Sequence, residues 1–111
     1  MEGHAMQEIE DRLLVKLQGD IDLEHSVAVR RLLLNAAAKG RDLLIDLSNV
    51  TYLDSSGIAS LIEAMHVARK NGAAFTLFSA SDQVRRVFEM ARLDRVFPLL
   101  PNLETALASR P

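Results

Sequence analysis

Apolar positions along this chain switch between a period of two and a period near three and a half. Leu13, Val15 and Leu17 alternate with Leu14, Lys16 and Gln18, the pattern of a half-buried strand. Met6 to Glu10 is predicted to pair with it as an edge strand. Gly19 is expected to end the strand, with Asp20-Ile21-Asp22 as a loop. Val29, Leu32, Leu33 and Ala36 then share one helical face, and Lys39-Gly40 supplies a last turn and a stop. Leu43 to Leu47, interrupted by Asp46, is short and mostly apolar, which predicts a buried strand. Ser48 to Leu53 is read as a connection. A second helix is predicted from Ser55 to Asn71, with Ile58, Leu61, Ile62, Met65 and Ala68 on its buried stripe. Arg69 and Lys70 suit the negative end of its dipole, and Gly72 suits a left-handed cap.

The remainder repeats the alternation. Ala74 to Phe78 is a strand, and Ser81 or Asp82 caps a helix with Val84, Val87, Phe88 and Ala91 on one side. Val96 to Leu100 is a short strand or extended segment, placed at an edge by Pro98. Asn102 caps a brief final helix through Leu103, Ala106 and Leu107. The order β, β, α, β, α, β, α, β, α requires crossover connections. It predicts an α/β fold with one mixed, largely parallel sheet of about four to five strands and about four helices.

Composition narrows the function without choosing it. The 111 residues fit a single domain, residues 1–111, of which 1–5 are expected to be disordered. Hydrophobic residues make up 49% and charged residues 25%, enough for a core under a solvated surface. The net charge of −2 gives no basic field for nucleic acid. No apolar run is long enough to span a bilayer, and the polar start MEGHAMQEIEDR lacks the features of a signal peptide. There is no cysteine, which removes disulfide and thiolate chemistry, and a cytoplasmic protein is the simplest expectation.

The chemistry concentrates at Asp54-Ser55-Ser56-Gly57, where strand-like sequence gives way to helix. One reading is purely structural. Ser55 would be the N-cap, accepting a backbone N–H from the first turn, with Asp54 beside the positive end of the dipole and Gly57 allowing close approach. The other is a phosphorylation switch. A phosphate on a serine at a helix start adds roughly −1.5 to −2 charges, which free N–H donors and the dipole would tolerate but an acidic or apolar partner would not.

Three segments together resemble the STAS domain family, and within it the bacterial anti-sigma factor antagonists. They are Gly19-Asp20-Ile21-Asp22, Leu44-Ile45-Asp46-Leu47-Ser48 and Tyr52-Leu53-Asp54-Ser55-Ser56-Gly57-Ile58. The likeness runs on through Lys70-Asn71-Gly72, Val87-Phe88 and Leu93-Asp94 to about Leu107. The resemblance implies a STAS fold and a regulatory binding protein with no catalysis or cofactor of its own. It implies that Ser55 is phosphorylated by an anti-sigma factor with serine kinase activity, which the unphosphorylated form binds, so freeing a sigma factor for transcription. A PP2C-type phosphatase reverses the modification. Asp20, Asp22, Asp54, Ser56, Gly57 and Ile58 are carried over as the surrounding partner-binding surface. Two positions depart from the family pattern: Asp20 stands where Glu is frequent, and Ala59 where glycine is frequent.

Other chemistries fit less well. A phosphoaspartate receiver built on Asp54 needs a lysine after the late strand, where Pro101-Asn102 stand instead. A serine hydrolase needs G-x-S-x-G, whereas Ser55 lies in D-S-S-G-I. His4, His25 and His66 are scattered and suggest neither a base nor zinc, and Arg85-Arg86 reads as a solvated helix face. The alternative of equal fold is a STAS accessory subunit docking on the ATPase of an ABC-type phospholipid transporter. Such subunits often have threonine or a small residue where Ser55-Ser56 stand, and fold cannot separate the two.

Overall fold

A computed structural model describes residues 4–109. The elements are β1 (Ala5–Ile9), β2 (Arg12–Ile21), α1 (Ser26–Ala37), β3 (Leu43–Leu53), α2 (Ser55–Lys70), β4 (Phe75–Phe78), α3 (Asp82–Met90), a 3₁₀ turn (Leu93–Arg95), β5 (Leu99–Leu100) and α4 (Leu103–Ala108). They follow the predicted order. The five strands form one sheet in the order β1-β2-β3-β4-β5, with β1 antiparallel to β2 and the other neighbours parallel.

Alternation along the strands divides the sheet between two cores. Leu13, Val15 and Leu17 of β2, with Leu43, Ile45 and Leu47 of β3, face the helical layer. There they meet Val29 and Leu33 of α1, Leu61 and Met65 of α2, and Phe88 of α3. Phe97, just before β5, joins this core with its ring edge-on to Phe88 at 5.7 Å. The opposite face is covered mainly by α4, which packs Ala106 and Leu103 on Leu14, Leu44 and Phe78. Arg12, 3% exposed, donates to Leu107 O at 2.9 Å and so ties the end of α4 to the start of β2.

Several boundaries differ from the sequence reading. Ser48 to Leu53 is not a connection but the second half of β3, and Gly19 does not end β2. The ladder continues past Asp46 through Gln18↔Asn49, Gly19↔Val50, Asp20↔Tyr52 and Ile21↔Leu53. Two irregularities allow it. Asp46, buried in the sheet, accepts the Ser48 N–H at 2.9 Å beside the first register shift. Gly19 takes φ +79° beside the second. Asp20 and Ile21 are therefore strand residues, and only Asp22 lies in the turn to α1. The predicted strand over Val96 to Leu100 shrinks to Leu99–Leu100, because the Val96 and Phe97 N–H groups close the Leu93–Arg95 3₁₀ turn on the Leu93 carbonyl and Phe97 turns into the core. Of the segment 1–5, residues 1–3 lie outside the described residues. Ala5 already pairs with Lys16, and His4 Nδ1 accepts the Gln18 N–H at 3.2 Å.

β4 reaches only as far as Asp46, its Phe78 standing opposite that residue. β2 and β3 run on alone, so β3 projects roughly 20 Å further at strand rise. The turns into α1 and α2 sit together at that tip.

Candidate functional site

Strand pairing brings the two turns side by side. Ile21 is opposite Leu53, and the Asp54 N–H donates to the Ile21 carbonyl at 3.4 Å. Asp22 and Asp54 are thus the first residues beyond two neighbouring strand ends. Asp20 stands one step earlier, where its carboxylate accepts the Thr51 hydroxyl at 2.7 Å across the ladder.

Asp54, not Ser55, caps α2. Its backbone is extended, and its Oδ1 accepts N–H groups from Ser56 at 2.9 Å and Gly57 at 3.2 Å. Its carbonyl accepts the Ile58 N–H at 3.0 Å. Ser55 is moved by one position to the first helical residue. Its side chain is exposed, and among the described residues its hydroxyl has no hydrogen-bond partner. The reason is geometric: Asp54, held to Ile21 at the strand end, is the residue with the extended backbone of a cap, and its carboxylate adds a charge that the helix dipole favours. Those donors, expected to be available to a phosphate, are already engaged by Asp54.

Gly57 is buried and leaves no room for a side chain. A Cβ there would stand 2.5 Å from the Ile21 carbonyl oxygen, 2.5 Å from Leu53 Cδ1 and 2.8 Å from Ile21 Cγ2. The glycine lets the helix start press on the strand end, which is what presents Ser55 at the tip. Ser56 is half-buried, and its carbonyl accepts the Ser60 hydroxyl at 3.2 Å. Ile58 packs its side chain partly on the main core.

Asp22 does not stand alone. Its Oδ1 accepts the His25 backbone N–H at 3.0 Å and His25 Nδ1–H at 2.7 Å. The hydrogen bond from His25 holds the Asp22 carboxyl below its ordinary value, and the same bond raises the His25 imidazole above its own. His25 was set aside in the sequence; the D-x-x-H spacing into a helix start was the signal available. Two apolar residues were also missed. Leu23 is 75% and Val27 58% exposed, one turn apart beside the Asp22 turn. Arg85 and Arg86 are exposed on α3, as the sequence suggested, and His66 is exposed on α2. Among the described residues, no group of three or more histidine or acidic side chains could hold a metal ion, and no helix is long and apolar enough to cross a membrane.

An open serine at a helix start, ringed by acids on the tip of a two-strand extension, defines an α/β domain whose site is a surface and not a cleft. The family model described as the STAS domain matches residues 4–106, and the chain belongs to that family. It is 28% identical over 90 residues to the anti-sigma-B factor antagonist of Bacillus subtilis, covering 81% of this chain and 83% of that one. Among solved structures, an anti-sigma factor antagonist from Mycobacterium paratuberculosis superposes with a TM-score of 0.85 at 28% identity, covering 95% of this chain and 90% of the other. The Bacillus cell fate determinant SpoIIAA in its phosphorylated form has a TM-score of 0.71 at 17% identity, covering 96% and 97%, and shares the fold.

Proposed function

We propose that this chain is an anti-sigma factor antagonist whose binding to an anti-sigma factor is switched by phosphorylation of Ser55. The observation that carries this reading is the division of labour at the start of α2. Asp54 does the capping, so the exposed Ser55 hydroxyl has no structural task. The names of its relatives support an anti-sigma factor as partner. In this reading the partner is also the serine kinase, a PP2C-type phosphatase restores the unmodified form, and the chain is a cytoplasmic regulator without catalysis of its own.

The physical effect of the phosphate follows from its neighbours. It adds roughly −1.5 to −2 charges to a surface that already holds Asp20, Asp22 and Asp54. The first-turn N–H groups at Ser56 and Gly57 are occupied by Asp54, so the new charge projects outward instead of being absorbed by the helix end. Leu23, Val27 and Ile58 supply the apolar part of the docking surface, and Asp22 with His25 its polar rim. The modification leaves the fold intact and makes the surface repel an acidic or apolar partner.

The test is capture from native lysate with wild type, Ser55→Ala and Ser55→Asp. An anti-sigma factor carrying a kinase domain should be retained by wild type and by Ser55→Ala, and lost or weakened with Ser55→Asp. Equal retention by all three would sink the switch. A transporter ATPase held equally by all three would assign the domain to lipid traffic instead.

A further inference from the structure

The end of the molecule away from Ser55 carries the complement of its chemistry. Because β2 to β5 run parallel, segments that lead into a strand lie at one end and segments that leave a strand lie at the other. The end of α2 precedes β4 and the 3₁₀ turn precedes β5, so both lie away from Ser55. Arg69 Nη2 donates to the Val96 carbonyl at 3.1 Å and joins them into one surface. Arg69, Lys70, Arg86, Arg92 and Arg95 stand there against Glu89 and Asp94. Among the described residues none of these five cations is in an ion pair. Arg86 lies one turn before Met90, which is 86% exposed, and Val96 is also exposed. This end thus combines two exposed apolar residues with five cations outside any ion pair, on a chain whose total charge is −2.

We propose that this basic end docks on the Ser55 end of a second copy, so that the chain associates head to tail. The occupant follows from complementarity. The Ser55 end holds Asp20, Asp22, Glu24 and Asp54 against the single His25, which is paired with Asp22, together with exposed Leu23 and Val27. Apposing the two ends sets arginine against carboxylate and Met90 with Val96 against Leu23 with Val27. Apposing two like ends would set acid on acid or base on base, which disfavours a two-fold dimer. The surfaces are rich in charge and hold few apolar residues, so the contact is weak and is screened as salt rises. A phosphate on Ser55 strengthens the acidic end and therefore the contact. That coupling rests on the proposed switch; the association itself does not. Phosphorylation would move the chain from its partner to its own kind, occupying the surface that the partner needs.

Sedimentation equilibrium on the purified full chain tests this with no partner present, so its outcome is independent of any kinase. Loadings run from about 10 μM to about 1 mM, in about 50 mM and about 500 mM salt. The weight-average mass should climb beyond that of a dimer at low salt and fall toward the monomer at high salt. The double variant Arg86→Glu with Arg95→Glu should lose self-association by about tenfold or more, since each reversal turns attractive contacts repulsive. It keeps its acidic end, so added to wild type it should cap growing chains and lower the average mass. Ser55→Asp should associate about twofold more tightly. Circular dichroism verifies that each variant is folded, and Lys70→Glu with Met90→Ser serves as an independent pair on the same surface. A monomer at every loading, a mass that stops at dimer, or a basic-end variant that associates like wild type would each overturn the proposal. Unchanged association by Ser55→Asp would overturn the phosphate coupling.

Discussion

Replacing Gly57 by alanine adds one methyl group to a crowded backbone position at the candidate site. The methyl would meet the Ile21 carbonyl oxygen and Leu53 Cδ1 at 2.5 Å. Leu53 can rotate, but the carbonyl belongs to a paired strand and cannot. The start of α2 must therefore retreat by roughly 0.5–0.9 Å to restore ordinary contact, as overpacked sites do. The retreat stretches the Asp54 N–H bond to the same carbonyl, already 3.4 Å. Overpacking of this kind costs about 1–3 kcal/mol. Alanine recovers at most about 1 kcal/mol of helix propensity, and less in a first turn. The expected net loss is about 1–2 kcal/mol. Urea unfolding followed by circular dichroism should show the midpoint falling by roughly 1 M with an unchanged slope. Thermal unfolding should move down by roughly 5–10 °C. A Gly57→Ala chain as stable as wild type would refute the idea that the helix start is pressed against β2. It would then remove the structural account of how Ser55 is presented. Gly72→Ala is the useful comparison: its φ is +77° with nothing within 4 Å, so any loss there comes from backbone strain and not from a clash.

Asp54→Ala should lower stability by about 0.5–2 kcal/mol through loss of the cap, and Asp54→Asn should restore most of it, as read from urea midpoints. Ser55→Ala should stay within about 0.5 kcal/mol of wild type by the same measurement, because the hydroxyl has no hydrogen-bond partner; a larger loss would return Ser55 to a structural role. His25 should titrate above its ordinary 6.5 in an NMR pH series, and Asp22→Asn should bring it back. The sign of the linkage follows. The raised His25 contributes stability that is full below 6.5 and lost as pH rises through its folded value. The depressed Asp22 contributes stability present above 3.8 and lost as pH falls through its folded value, so the pair is most favourable between about pH 4 and 6.5. Arg92→Gly should raise stability by about 1 kcal/mol, since Arg92 holds φ 58° where glycine is unstrained; no gain in thermal midpoint would argue against strain at that turn.

Local signals in the chain were sufficient wherever a residue acts on its own neighbours. Ser81 and Asn102 cap α3 and α4 as their positions suggested, through bonds to Val84 N–H and Thr105 N–H. Gly40 and Gly72 take the left-handed conformation after α1 and α2. The apolar spacing marked Val29 and Leu33, Leu61 and Met65, and Val84 and Phe88 for burial, and all six are buried. The order of elements and the acid–serine–glycine junction at 54–57 were legible for the same reason. Periodicity and capping are set within a turn or two of chain.

What the tertiary structure decided are the features whose energy comes from a distant partner. Ser48 to Leu53 carries the β-formers Val50, Thr51 and Tyr52, but it follows the polar Ser48-Asn49 step and continues β3 only because β2 pairs with it across two irregularities. That pairing carries Asp20 into the ladder, against Tyr52 and Thr51, and places Asp22 beside Asp54. The choice of Asp54 over Ser55 as cap depends on where the strand releases the chain, fixed by the Asp54 bond to Ile21. The need for glycine at 57 exists only because a carbonyl thirty-six residues earlier in the sequence lies against it. Sequence by itself determined which elements form and where the candidate hydroxyl must be sought. Only the packed molecule determined that Ser55 is left free, because hydrogen bonds between strands and contacts between backbones are made by residues far apart along the chain.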